Sequence, residues 1–405
     1  MMKRKLTSVL VGAALAGLAG AASEQISDGV VKIGVLNDMS GLYADIAGPG
    51  SVVAAKLAVE DFQKTSKDNL KVELVSADHQ NKPDVGSTVA RQWYDTDKVD
   101  VIVDVPTSSV GLAVNQVTRD KGKAYLNSGS ATSDMTGKAC SPNTIHWAYD
   151  TWMLSNGTGK AIVETGGKSW FFLTADYAFG HALERDTEAV VTKSGGKVVG
   201  KVRHPFPGQD FSSFLLQAQA SKAKIIGLAN AGGDTINSIK QAAEFGIVAG
   251  GQNLAGLLMF LTDVKALGLQ TAQGLIFTTS FYWDLNDGTR AFSKRFMAGH
   301  GGKVPTMVQA GVYSSVLHYL KAVEAGNTDD GTKVIAKMKE MPTDDPLFGK
   351  GSIRADGRKI HPVYLVEVKK PAESKGEWDL LKVRKTIPAD QAFRPLADGG
   401  CPLVK

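Results

Sequence analysis

Only two cysteines occur in the 405 residues, Cys140 and Cys401, and the seven histidines (His79, His146, His181, His204, His300, His318 and His361) stand at no ligand spacing. Neither set supplies the clustered donors of a metal site or the neighbouring base of a reactive thiol. The chain has no G-x-S-x-G elbow, no H-E-x-x-H pair and no Walker loop. Its nearest decoy, Gly157-Thr158-Gly159-Lys160-Ala161, lacks both the earlier glycine and the hydroxyl residue after the lysine. No cofactor is implied. Charge of one sign is also scarce. Lys3, Arg4 and Lys5 supply three of the formal +5, and the small remainder gives no ground for a nucleic-acid or anionic-membrane partner.

Long apolar runs are missing too. The run from Leu6 to Leu18 falls short of the roughly 20 residues that span a bilayer. It follows the basic Lys3-Arg4-Lys5 and precedes Ala19-Gly20-Ala21, the order of a cleavable export signal, expected over 1–21. The mature protein is therefore expected in the periplasm and not as an integral membrane protein. In that oxidising compartment Cys140 and Cys401 are expected to pair, the alternative being two buried thiols.

With 43% apolar residues and 44 glycines, the chain has material for two domains of ordinary size. Strand-like runs at 30–36, 71–76, 99–103 and 124–127 alternate with helix-like stretches at 52–64, 85–96 and 111–121. The same rhythm restarts after Trp147, with strands at 169–174, 196–203 and 224–228 and helices at 154–165, 180–193, 211–220 and 235–245. Such alternation predicts two doubly wound α/β lobes. No low-complexity linker separates them, so the connections are expected to be an ordered hinge with the functional cleft between the lobes. Segments 274–280, 308–325 and 362–369 are then shared out by repeated hinge crossings.

Two hydroxyl-rich turns, Thr107-Ser108-Ser109 and Ser128-Gly129-Ser130-Ala131-Thr132, each follow a first-lobe strand. Hydroxyls and open amides at strand ends suit a carboxylate, although the same residues also serve as ordinary turns and helix caps.

These turns, with the opening Lys32-Ile33-Gly34-Val35 and Ser40-Gly41, the Asp176-Tyr177-Ala178-Phe179-Gly180 run and Gly232-Gly233-Asp234, resemble the branched-chain amino acid binding proteins of ABC transporters. The resemblance covers nearly the whole mature chain and implies the type I periplasmic binding-protein fold with three hinge crossings. It divides the chain into a first lobe of 28–147 with 282–355 and a second of 148–281 with 356–405. It also implies that Ser109 and Thr132 hold a ligand carboxylate with help from Ser108, Ser130 and Ala131, that Tyr177 closes from the opposite lobe, and that Tyr43 joins the site. A separate permease chain would be the partner and the binding protein itself a monomer.

One departure bears on the ligand. Where amino-acid binders of that family place a glutamate for the ammonium, this chain reads Leu257-Leu258-Met259-Phe260. A buried ammonium without a carboxylate partner costs several kcal/mol. Leu258 and Met259, with Phe260, Phe281 and Tyr282, therefore point to an apolar ligand body, such as a benzoate- or cinnamate-type acid. An amino acid or amide remains the alternative, with Asp234 or Asp263 as the charge, and an exported α/β enzyme a remote one.

Overall fold

The computed structural model describes residues 26–404, so the export signal expected over 1–21 lies outside the described residues. Nine strands build two parallel sheets. The first contains β1 (Val31–Asn37), β2 (Val72–Asp78), β3 (Val101–Asp104), β4 (Ala124–Asn127) and β5 (Thr144–His146), in the order β2-β1-β3-β4-β5. The second contains β6 (Ser169–Ala175), β7 (Lys197–His204), β8 (Ile225–Ala229) and β9 (Asn253–Gly256), in the order β7-β6-β8-β9. All their pairings are parallel. Parallel strands are covered on both faces, which is why β3, β4 and β8 are buried along their whole length.

Crossover helices follow the strands. Helix Gly48–Thr65 packs on the 20-residue helix Met307–Gly326, which is apolar along most of its length and capped by Thr306 and Gln309. Close approach sets some glycines. A Cβ on Gly34 would lie 2.4 Å from the Trp93 ring. On Gly157 it would lie 2.2 Å from Thr278 Oγ1, and there the expected helix at 154–165 is interrupted by a π-turn at Ser155–Gly159. The decoy Gly-Thr-Gly-Lys thus serves packing, with the Thr158 hydroxyl 2.9 Å from that of Thr278.

The remaining strands are antiparallel. β10 (Ile276–Thr279), β14 (Val363–Val368) and β15 (Leu381–Ile387) form one sheet beside the second lobe, while β11 (Thr343–Asp345), β12 (Gly349–Ile353) and β13 (Lys359–Ile360) form a small one beside the first. Segments 147–150, 280–286 and 361–362 connect elements grouped with the first parallel sheet to elements grouped with the second. The first and third crossings are bound together. Arg358, fully buried, sets its Nε 3.3 Å from Asp150 Oδ2 and donates to Tyr149 O at 3.1 Å, and His361 Nε2 lies 3.0 Å from Ala148 O.

Cys140 and Cys401 form a disulfide. The tail after Ile387, grouped with the second lobe in the expected division, makes contacts with the first. Arg394 donates to Ser133 O at 3.0 Å, and Cys401 is bonded into the loop between β4 and β5. The end of the chain returns to the first lobe and adds a link to the three crossings.

Candidate functional site

Both parallel sheets end at a shared cleft, which is nearly shut and leaves a cavity of about 20 Å³. The first lobe contributes Tyr43, Ile46, Pro106, Thr107, Ser108, Gly129 and Ala131; Tyr149 comes from the first crossing, and Tyr177, Phe179, Ala231, Leu258 and Phe260 from the second lobe. Apolar and aromatic groups make up most of this wall, and it includes no lysine, arginine or histidine.

Its polar end is built on a distorted turn. Asp104, Val105 and Thr107 all have left-handed φ, at 77°, 57° and 77°. For a β-branched residue such as Val105 this is an outlier that costs about 1–3 kcal/mol unless its surroundings hold it. Here Val105 N donates to Leu36 O at 3.0 Å, Gly129 N to Asp104 O at 3.2 Å, and the Ser130 hydroxyl to Val105 O at 2.6 Å. Gly129 fits because a Cβ would sit 2.6 Å from Pro106 N. Helix Ser108–Lys121 starts directly from this turn, so its first turn and the neighbouring loop aim amides and hydroxyls at one end of the cleft.

The candidate hydroxyls divide by position. Ser108 lines the cleft, and its Oγ accepts from Thr132 N at 3.1 Å. Ser109 lies one residue further along the helix and off the wall. Ser130 turns its hydroxyl into the turn below, and Thr132 accepts from Asp134 N at 3.3 Å as a cap. Ala131, and not Thr132, reaches the cavity.

Opposite them, Tyr177 precedes helix Ala178–Lys193. Gly180 allows that helix to start against the strand end, since a Cβ there would be 2.0 Å from Ala175 O. The Tyr177 hydroxyl lies 2.6 Å from the Tyr43 hydroxyl across the lobes. Phe206 stacks on Tyr177 at 4.1 Å and faces Tyr43 at 5.8 Å. Tyr149 donates to Gly129 O at 2.8 Å and meets Phe260 edge-on. Burial pushes all three phenols upward, so each stays neutral and able to donate.

Two acids adjoin the cavity without lining it. Asp104 accepts from Asn37 Nδ2 at 2.6 Å through one oxygen, its other oxygen lies against Gly129, and burial pushes it up to about 7. Asp234 accepts from Gly208 N at 3.0 Å through Oδ1, while its buried Oδ2 has no hydrogen-bond donor. Burial pushes Asp234 to about 7 as well, and its charge acts on Tyr43 and Tyr177. His204 is 4.0 Å away, but burial lowers its pKa and favours the neutral ring. Asp263 caps its own helix by accepting from Phe260 N at 2.9 Å.

Of the apolar candidates, Leu258 lines the cleft with Phe260, whereas Met259 turns into the second-lobe core. Phe281 packs on Phe292 and Phe348, and the Tyr282 hydroxyl reaches Leu381 O; both belong to the second crossing. Tyr149, Phe179, Ile46 and Ala231 were not foreseen as wall residues. Phe179 stood within the quoted Tyr-Ala-Phe-Gly run, and Tyr149 in the aromatic Trp147-Ala148-Tyr149 where the strand rhythm restarts, but neither position shows in sequence which way a ring will face.

The profile of the family described as periplasmic binding protein matches residues 30–377. A crystal structure of a periplasmic binding protein from Burkholderia mallei is 52% identical, with 93% of this chain and 100% of that one covered and a TM-score of 0.91. A branched chain amino acid ABC transporter periplasmic ligand-binding protein from Burkholderia xenovorans is 43% identical, at 93% and 100% coverage and a TM-score of 0.82. A solute-binding protein of an R. palustris ABC transporter, in complex with benzoate, shares the fold at 22% identity, 89% and 97% coverage and a TM-score of 0.79.

Proposed function

Because the chain belongs to the periplasmic binding protein family, we propose that it captures a small carboxylic acid with an apolar, aromatic body in the cleft between its lobes, for delivery to an ABC permease on a separate chain. The observation that carries this reading is the cavity wall: hydroxyls and amides at one end, aromatic and aliphatic side chains elsewhere, and no basic group. The Ser108 hydroxyl and the amide at Ala131 would receive the carboxylate as neutral donors, while the Thr107 hydroxyl donates to Asn81 Oδ1. Ser109 and Thr132, one residue away, would support that end without touching the ligand. Tyr149, Phe179, Leu258 and Phe260 would enclose a ring. Family and fold are those of solute-binding proteins and not of enzymes.

Function follows from closure. A ligand gripped by the first lobe and covered by Tyr177 of the second shifts the population toward the form in which Tyr43 and Tyr177 meet, and the permease reads that form. The protein acts as an exported periplasmic monomer, with 1–21 removed. The R. palustris relative binds benzoate, but at an identity that carries the fold alone, so the ligand class rests on the wall. One observation favours a second reading. The unpartnered Asp234 Oδ2 beside the two tyrosines is a partner for the ammonium of an amino acid, as in the substrate class named for the B. xenovorans relative.

Thermal shift and calorimetry against benzoate, cinnamate, leucine and valine test the choice, since ligand at 100 times its dissociation constant stabilises by about 2.7 kcal/mol. A shift with the aromatic acids supports the proposal. A shift with leucine or valine alone moves the assignment to the second reading.

A further inference from the structure

The tail bonded to Cys140 touches both lobes and the hinge. It leaves the second lobe at the end of β15, where Asn156 Nδ2 of the broken helix donates to Gln391 O at 2.6 Å. Next it runs beside the third crossing. The Phe393 ring is buried, with the Arg358 guanidinium 4.2 Å from its centre and His361 edge-on at 5.2 Å, and Arg354 Nη1 donates to Arg394 O at 2.7 Å. It ends on the first lobe, where Arg394 donates to Ser133 O at 3.0 Å and Cys401 is bonded to Cys140.

The landing point is the loop between β4 and β5, which also carries Gly129 and Ala131 of the cleft wall. The same loop grips the second lobe. Ser133 Oγ and Thr151 Oγ1 both donate to Asp186 Oδ2 at 2.6 Å, and Arg185 Nη1 is 3.1 Å from Asp134 Oδ1. Loop, tail and third crossing therefore form one closed mechanical circuit, and the disulfide is the covalent link that closes it.

We propose that segment 388–401, locked by the Cys140–Cys401 disulfide, is a strap that restrains the hinge and limits how far the cleft opens. Opening rotates one lobe about the three crossings. With the strap intact, that rotation must also draw Phe393 from under Arg358 or shear the Ser133–Asp186 contact. Without the disulfide, the tail can peel from the first lobe and the crossings turn freely.

The test uses the full mature chain, without ligand, as wild type and as the double variant Cys140→Ser/Cys401→Ser, followed by hydrogen exchange and small-angle scattering. In the double variant, amides at 147–150 and 358–361 are expected to exchange about tenfold faster and the radius of gyration to rise, with both parallel sheets exchanging as in wild type. Faster exchange confined to 394–404, with the crossings and the radius unchanged, would overturn the proposal and leave the disulfide as a tether of the terminus. Phe393→Ala, which keeps the disulfide but removes the ring from the hinge, gives an independent reading should the double variant fail to fold. It is expected to quicken exchange at 358–361 at least threefold, and wild-type exchange there would count against the strap.

Discussion

Asp104→Asn separates the charge of the cleft floor from its shape. The wild-type carboxylate is fully buried at the end of β3, with Asn37 Nδ2 on one oxygen and Gly129 against the other, and burial pushes it from 3.8 up to about 7. A carboxyl raised in the folded state holds its proton over a range in which the unfolded chain has lost it. Its contribution to stability is thus complete below about pH 4, declines as pH rises and is gone above about pH 7. Linkage over that interval amounts to about 4 kcal/mol as a ceiling, at ~1.4 kcal/mol per pH unit. Asparagine keeps the volume and the acceptor for Asn37 and cannot ionise. We expect Asp104→Asn to stabilise by about 1–3 kcal/mol at pH 8 and to leave stability at pH 5 unchanged or slightly lower, measured by denaturant unfolding at both values. Asp234 and Asp263 are pushed up to about 7 as well, so the pH dependence should shrink and not vanish. A variant as pH-dependent as the wild type would refute the reasoning, because Asp104 would then be ionised without cost or protonated throughout.

Three further outcomes follow from the geometry. Ser108→Ala should weaken carboxylate binding by about 1–3 kcal/mol, and Thr132→Ala, which loses a cap, should weaken it less; the reverse order in calorimetry would return the site to the register that the resemblance implied. Tyr43→Phe removes the 2.6 Å bond to Tyr177 and should speed ligand release about two- to tenfold with little effect on association, which stopped-flow fluorescence can follow. Opening the disulfide frees a loop of 261 residues, for which chain entropy sets a ceiling of about 5–6 kcal/mol. Calorimetric melting with and without reductant should therefore show a clear fall, and coincident melts would mean that the unfolded chain gains nothing from release.

Most strands of the two parallel sheets were legible because buried strands such as Val101–Asp104 and Ile225–Ala229 are short apolar runs that end in Gly-, Ser- or Asp-rich loops, whereas segment 308–325 was marked only as shared between lobes and folds as helix Met307–Gly326. The seven-residue β15, whose alternating Lys and Arg mask its pattern, was missed, and so were the short β5, β9 and β11 to β13. The short ones do not last long enough for a period of two to emerge, and tertiary pairing alone makes them strands. The site was legible as a place more than as a list. The Thr107-Ser108-Ser109 turn sits at the cleft, and it follows left-handed φ at Asp104, Val105 and Thr107; Ser108 and Ala131 line the cleft, and Ser109 and Thr132 do not. Three non-glycine residues in that region cannot be read from residue type. Tail placement was illegible for another reason. Two cysteines can predict a bond, but not which lobe the chain between them follows.

Electrostatics around the cleft argue for a pH dependence of binding that a cationic pocket would not have. No basic side chain lines the wall, and burial lowers the pKa of the interior His79, His146 and His204, which favours their neutral forms. Asp38 accepts from Tyr43 N and Asn81 Nδ2 behind the wall, and the two acids there whose charge changes near neutral pH are Asp104 beneath Gly129 and Asp234 beside Tyr43 and Tyr177, both pushed up to about 7. Near pH 5.5 both are protonated, and neither opposes a bound carboxylate. Above pH 7 each carries a charge of the same sign as the ligand, which repels it across a site from which closure has excluded water. Affinity for benzoate should accordingly be flat below about pH 6 and fall by about tenfold or more by pH 8.5, with proton uptake on binding near pH 7 visible in calorimetry as a dependence of the heat on buffer ionisation enthalpy. An amino acid whose ammonium pairs with ionised Asp234 should show the opposite trend, tighter as pH rises through 7. The sign of the pH slope thus distinguishes the two ligand readings: the first requires a neutral Asp234, the second an ionised one.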